Sequence, residues 1–460
     1  MWLLLAVLQL PVRAAEPGTI DWRKVDPEAL RHFTALLRLN TTNPPGNETR
    51  AAEYLREVLE REGIDAKLLA LEPARANLVA RLPGNGSARP IAILGHTDVV
   101  GVERSGWTYD PFGAVLHDGY IYARGAIDDK EIVTAGLMVM LMLHRAHMRL
   151  NRDVIFVAEA GEEGTPKVGI DFLISRHWSE IAAEYALSEG GSAVAVDGEV
   201  RYVAITTSEK VPNGVRLIAR GPSGHASRPT ADNAVVRLAA AVTKLGEWHT
   251  PMRLNATTRE YFERLATVSP PSDAARYRHV AERHGAAEID RYFQRYEPAH
   301  YAILHTTLTP TMLRAGFRFN VIPSEAEAYL DVRALPDEDM PRFYEEMRAV
   351  VADPHVEIAP QKADRPTTPA SRTDTAMFRA LEHAQAKMFP DAVTLPSMLT
   401  GATDMAQLRA RGVEAYGFGP VVEAGDGEAH GTDERLREES LYGLVKFLWY
   451  AVAEVAGTRE

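Results

Sequence analysis

Short apolar runs alternate with helical patterns along most of this chain, and that alternation constrains its fold more than any other feature. Residues 90–94 run into Gly95-His96, and residues 154–158 stop just before Gly161-Glu162-Glu163-Gly164. Residues 185–187 lead into Ser188-Glu189-Gly190-Gly191, and residues 413–418 form a further run. Each run has the length of a strand buried on both faces and is too short for a buried helix. Helical stretches such as 131–145 and 434–455 lie between them, and residues 27–39 and 50–62 read as helices joined by Asn43-Pro44-Pro45-Gly46. The alternation predicts an α/β fold, a mostly parallel sheet flanked by helices.

The middle of the chain reads differently. Residues 215–219, 326–332 and 356–359 look like strands, and 231–245 and 340–351 look like helices. That predicts a small α+β unit over 210–362, inserted between the two parts of a larger domain, 15–209 and 363–460. Within it, 251–310 is polar, aromatic and helical in pattern. A chain of 460 residues is too long for one core, which agrees with two domains.

The formal net charge of -12 argues against nucleic acid or an anionic membrane as the main partner, though not against an anionic substrate. The absence of cysteine excludes disulfides, thiolate nucleophiles and Cys-ligated zinc. Any metal must then be held by His and carboxylates, the ligand set of catalytic zinc. Residues 1–10 are apolar and are followed by Val12-Arg13-Ala14. This predicts a signal peptide over 1–14 and a secreted or periplasmic protein, with a misplaced start as the alternative. The run is too short to span a bilayer, and no other stretch predicts a stable span.

His96, Asp128, Glu162-Glu163, Glu189 and His430 fall at or just after predicted strand ends. Open α/β sheets bind ligands at the carboxyl ends of their strands. Residues far apart in sequence would therefore meet on one edge of one sheet. Two His and several carboxylates suit two divalent ions a few ångströms apart. Singly, each has a plainer reading: Asp-Asp-Lys, for instance, also suits a helix N-terminus. The coincidence of placements favours the metal site.

Gly95-His96-Thr97-Asp98-Val99-Val100 resembles the first metal motif of the aminoacylase/carboxypeptidase family of di-zinc metallopeptidases. Tyr122-Ala123-Arg124-Gly125-Ala126-Ile127-Asp128-Asp129-Lys130 resembles the second, and Glu162-Glu163-Gly164 the third. Ser188-Glu189-Gly190-Gly191 and His430-Gly431-Thr432 resemble the last two, all in the family's order. The resemblance implies that Asp128 bridges two divalent ions. His96 and Glu189 complete one site, and Glu163 and His430 the other. It implies Glu162 as general base, Asp98 as the carboxylate supporting His96, and a cis peptide between Asp128 and Asp129. Zinc is the family metal, and cobalt or manganese suits the donor set almost as well.

The inserted unit resembles the family's lid, which in dimeric members also joins the subunits. The chain's own oligomeric state is left open. Gly224-His225-Ala226-Ser227, Phe319-Asn320-Val321 and Asp331-Val332-Arg333 resemble its substrate-contacting segments, and Gly401-Ala402-Thr403-Asp404 resembles the loop near the metals. This implies substrate contacts from His225, Asn320, Arg333, Gly401 and Thr403, with Arg333 binding a carboxylate through its planar fork. A surface ion pair is the alternative for Arg333. The segment between His225 and Asn320 is long and resembles the secreted branch that acts on N-fatty-acyl amino acids. It could line an acyl pocket or enlarge the lid or a dimer contact.

The implied function is hydrolysis of the amide bond in N-acyl amino acids or small peptides with a free carboxylate. A carboxypeptidase or dipeptidase, or a ureido-acid amidohydrolase of the same fold, remains the alternative. A protein that had lost catalysis would lack the base or a ligand, and here all are present.

Overall fold

The computed structural model describes residues 20–282, 286–363 and 365–458. The N-terminal apolar run and its expected cleavage site lie outside them. A ten-stranded sheet forms the larger part. At its centre Val154–Glu159, Ile91–His96, Tyr185–Ser188 and Glu414–Gly417 lie side by side and parallel. These are the predicted apolar runs. Antiparallel strands extend the sheet on both sides, Ala76–Leu82 against Val154–Glu159 and Ser192–Val196 against Glu199–Glu209.

Successive side chains of a strand point to opposite faces. Ile91 and Ile93 accordingly join the core formed with helices Lys130–Arg145, Ala376–Met388 and Glu438–Ala456. Ala92 and Leu94 join a second core with Ile170–Arg176 and Met405–Arg409 on the other face. Both faces are covered, which explains why these strands read as continuous apolar runs. Helix Lys130–Arg145 is buried from Lys130 through Leu143. It lies close on the sheet because Gly136 has no side chain: a Cβ there would meet the Phe156 ring at 2.7 Å.

A separate antiparallel sheet has the order Thr307–Ala315, Glu325–Ala334, Val211–Arg220, Val356–Pro360. Helices Ala234–Gly246 and Met340–Val351 close its core. Buried and less buried residues alternate along Glu325–Ala334, as expected for one covered face. Strand Glu199–Glu209 of the large sheet passes through Lys210 into Val211–Arg220 of the small one.

Local differences from the sequence reading have tertiary causes. The first helix is Trp22–Leu37 and carries Pro27 inside it rather than starting there. Val25 is buried and Trp22 packs edge-on against Tyr450, which holds the turn before the proline. The last helix starts at Glu438, because Arg435–Arg437 is drawn off as a strand against Tyr120–Tyr122. Helices Ala256–Val268, Pro271–Ala281, Ala286–Tyr296 and Pro298–Leu304 share a core with Leu395 and Met398. The helical segment of the insert therefore packs on strand Val393–Leu399 of the large sheet. Among the described residues, no helix is long and apolar enough to cross a membrane.

Candidate metal centre

His96 ends its strand, Glu189 follows Tyr185–Ser188, and Glu162 and Glu163 occupy the turn after Val154–Glu159. Asp128 instead precedes helix Lys130–Arg145 and His430 lies in the loop before Arg435–Arg437, so neither stands at the strand end expected for it, and turns and loops rather than strands carry these two to the site. The fold brings all of them to one place. His96 Nε2 lies 2.9 Å from Asp128 Oδ1 and 3.9 Å from Glu189 Oε1. His430 Nε2 lies 3.1 Å from Asp128 Oδ2 and 2.8 Å from Glu163 Oε1. Asp128 thus turns one oxygen to each of two donor groups. In the sets His96/Asp128/Glu189 and Asp128/Glu163/His430, one ligand atom per residue lies within 4.8 Å of the others.

The electrostatics fit dications. Asp128, Glu162, Glu163 and Glu189 converge with two imidazoles in a partly buried space, and carboxylates drawn together out of water are costly without opposite charge. Burial, then the nearby Asp129, pushes the Glu189 carboxyl well above its usual range. Hydrogen bonds to Asp128 and Glu163 raise His430 to about 10. Imidazole and carboxylate donors without thiolate suit zinc, cobalt or manganese.

Several residues aim these ligands. His96 Nδ1 donates to the Asp98 carbonyl oxygen at 2.9 Å, which leaves Nε2 for the donor group, while the Asp98 carboxylate is 3.6 Å away. That carboxylate instead accepts from the N–H groups of Gly161, Glu162 and Glu163 and from Asn43 Nδ2. Asp98 therefore orients His96 through its backbone and fixes the glutamate turn through its side chain. The Asp128–Asp129 peptide is cis, as the resemblance implied. His430 adopts φ 63°, a conformation uncommon outside glycine and frequent at functional sites. Arg124 Nη2 donates to the His430 carbonyl at 3.1 Å, and Arg124 pairs with Glu434 at 2.5 Å. Glu434 also accepts from the Ile127 N–H, so one buried ion pair ties the His430 loop to the Asp128 turn.

The sequence reading missed that pair, although Arg124 lies within a quoted motif. It also missed Arg365. This buried guanidinium donates to Glu162 Oε1 at 2.6 Å and makes a short contact with Asp404. A salt bridge between residues so far apart leaves no local pattern to read.

A cavity of about 610 Å³ opens over the cluster, with Asp128, Glu163, Glu189, Arg333, Gly401 and Thr403 among its walls. Thr403 is buried and donates to Glu209 through its Oγ1 (3.0 Å) and N–H (3.3 Å). Arg333 donates through Nε to Asp331 at 2.9 Å. His225 and Asn320 do not line the cavity. They lie at an exposed two-stranded ribbon, Gly224–His225 against Val321–Ile322, in which His225 pairs with Val321 and the Ala226 N–H donates to the Asn320 carbonyl. Among the described residues, none from 251–304 lines the cavity either. The helical insert supports the large sheet behind it.

Residues 92–454 match the model of peptidase family M20/M25/M40. The chain belongs to this family. It is a metallo-hydrolase of the family's peptidase and amidohydrolase class. It is 29% identical over 391 residues to human N-fatty-acyl-amino acid synthase/hydrolase PM20D1, covering 81% of this chain and 76% of that protein. It is 28% identical over 397 residues to rat (Rattus norvegicus) aminoacylase-1B, covering 85% of this chain and 86% of that one. Its fold is similar to the M20 metallo-carboxypeptidase Sso-CP2 from Sulfolobus solfataricus, with a TM-score of 0.69 and 20% identity over 92% of this chain and 99% of that one. It is also similar to the Bacillus subtilis YXEP protein, described as a dinuclear metal-binding peptidase, with a TM-score of 0.60 and 14% identity over 93% and 98% of the two chains.

Proposed function

We propose that this chain hydrolyses the amide bond of N-acyl amino acids, or of short peptides, that carry a free carboxylate beside that bond. The observation that carries the reading is Asp128, whose two oxygens each face a separate His–Glu pair. His96, Asp128 and Glu189 would hold one divalent ion, and Asp128, Glu163 and His430 the second. Zinc is the expected metal on the donor set, with cobalt and manganese as chemical equivalents. Bound there, such ions would supply Lewis acidity to the scissile carbonyl and would acidify a water at the site.

Glu162 sits beside this donor set and is not needed to complete it. Burial and the nearby Asp404 carboxylate push its carboxyl well above the usual range, as suits a group that takes a proton and returns it. It would remove the proton of the attacking water and pass it to the leaving nitrogen. Arg333 would bind the substrate carboxylate, since its Nε alone is engaged by Asp331. Gly401 would hold the substrate backbone, and Thr403, whose N–H and Oγ1 are both given to Glu209, would shape the wall beside it. His225 and Asn320 would reach the substrate when the lid closes, or from a second copy. A homodimer through the lid is part of this reading: strand Thr307–Ala315 is an edge strand that exposes Met312 and Leu313. The named activities of the PM20D1 and aminoacylase relatives support an acyl amino acid over a dipeptide. We assign residues 1–14 as a signal peptide and place the mature chain in the periplasm or outside the cell.

The test is a hydrolysis screen of N-acyl amino acids that varies acyl length and side chain, with dipeptides and ureido acids alongside and metal analysis of the same sample. Faster turnover of ureido acids or dipeptides would move the assignment to those classes. No amide hydrolysis by fully metal-loaded protein would end it.

A further inference from the structure

Glu162 is within reach of two different jobs. One of its oxygens lies within 4.8 Å of a His96 nitrogen and a Glu163 oxygen, the spacing of a ligand set. A carboxylate there can serve as a base or swing onto a metal as an extra ligand, and it cannot do both with the same oxygen. Arg365 Nη2 binds Glu162 Oε1 at 2.6 Å and also lies 3.3 Å from the Glu162 carbonyl oxygen. From the other side, the Glu162 N–H is held by Asp98. The remaining arm of the fork, Nη1, is taken by Asp404, which closes the substrate loop Gly401-Ala402-Thr403-Asp404.

The Arg365, Glu162 and Asp404 side chains are 7%, 10% and 3% exposed, so little water competes for these bonds. A guanidinium presents its N–H groups in a fixed plane and can bridge two carboxylates, which a single ammonium cannot reproduce.

We propose that Arg365 is a positioning residue that clamps Glu162 through Oε1, keeps it out of the metal ligand set, and leaves its other oxygen for proton transfer. The proposal rests on the reading of Glu162 as the base. Through Asp404, the same clamp ties the orientation of the base to the substrate loop.

The experiment compares native protein, R365M, R365K, E162Q and the E162Q/R365M double variant, all as full chains with metal content measured. In R365M, kcat should fall by about 10²-fold, the lower end of losing a general acid-base group, with KM within about threefold of native. R365K keeps the charge but spans only one carboxylate, and should recover part of that loss. In the E162Q background, adding R365M should cost less than about threefold. A second readout is the visible absorption of the cobalt-substituted proteins. R365M should shift that spectrum as Glu162 enters the ligand set, and the double variant should lack the shift.

An R365M kcat within about threefold of native overturns the proposal. So does an equal loss in the E162Q background, or a cobalt spectrum that R365M leaves unchanged. Should R365M fail to fold, R365K decides by the same criteria, alone and combined with E162Q. Substantial turnover by E162Q overturns the base assignment itself. An inactive E162Q beside a fully active R365M overturns the clamp alone.

Discussion

His96 and His225 are both histidines of recognisable motifs, and the structure holds them in opposite ways. His96 is 1% exposed, faces Asp128 through Nε2, donates to the Asp98 carbonyl through Nδ1, and donates its N–H to Asp129. His225 is exposed, and its side chain is engaged by Ser227, two residues away. The difference follows from the elements that carry them. The end of a strand covered on both faces is fixed by the whole core, before any substrate arrives. The two-residue strands Gly224–His225 and Val321–Ile322 pair only with each other, outside the larger sheets. The cluster around His96 is thus held in place by the core, and the ribbon that carries His225 needs a further contact to reach it.

The largest effects should separate the two regions. Chelation should abolish hydrolysis, and added zinc, cobalt or manganese should restore it. Glu162→Gln should lower kcat by at least about 10²–10⁴-fold with metal content unchanged, as expected for removing the base. Replacing Glu163 should cost metal occupancy as well as rate. If Glu162→Gln loses metal while a Glu163 variant keeps both ions, the two glutamates must exchange roles.

The same change at two glycines tests rigidity directly. A Cβ on Gly136 would meet the buried Phe156 ring at 2.7 Å, while one on Gly224, beside His225, finds only Ile322, at 4.0 Å. Overpacking costs about 1–3 kcal/mol, against a gain of about 1 kcal/mol for Ala over Gly in a helix. Gly136→Ala should therefore lose up to about 2 kcal/mol net, and Gly224→Ala roughly nothing. Equal denaturation midpoints for the two variants would show that the sheet face yields more easily than its packing implies.

Arg333 belongs to the small sheet yet lines the cavity, so it tests whether the two regions act together. Arg333→Ala should raise KM for substrates with a free carboxylate by about tenfold, the worth of one charge-assisted pair. Methyl esters should lose little further. Equal losses on acid and ester would remove Arg333 as the carboxylate anchor.

The same contrast explains what the sequence could convey. The central strands were legible because burial on both faces forces an apolar run, and His96, Glu163 and Glu189 were legible because they end or follow such runs. Asp98 was legible as a supporting residue, but not in its actual use, since hydrogen bonds to the glutamate turn depend on how that turn folds back. Arg365 and the Arg124–Glu434 pair left no signal of their function, because their partners are set only by tertiary packing. Strand Thr307–Ala315 was missed for a related reason. It is exposed along most of its length, so it lacks the period-two burial that marks Glu325–Ala334.

The last expected effect lies at the joint between the regions. Lys210 stands where the large sheet's strand becomes the small sheet's, and its ammonium donates to the Ala302 carbonyl and to Thr307 Oγ1, both at 3.0 Å. Burial, then the nearby Arg333 charge, lowers it from 10.5 to about 7, with Asp331 opposing. Below pH 7 both folded and unfolded chains carry the proton, and the fold bears a buried charge. Between pH 7 and about 10.4 the folded chain releases the proton while the unfolded chain keeps it, so stability should rise with pH across that window. The contribution is full above the unfolded pKa and is lost as pH falls through about 7. One such group gives a slope of at most about 1.4 kcal/mol per pH unit. Lys210→Met should remove it. Denaturant unfolding of native and variant protein at pH 6, 7.5 and 9 would then give a stability difference that moves in favour of the native chain as pH rises. A flat difference would mean that the lysine stays charged within the fold, and that the joint tolerates a buried cation at neutral pH.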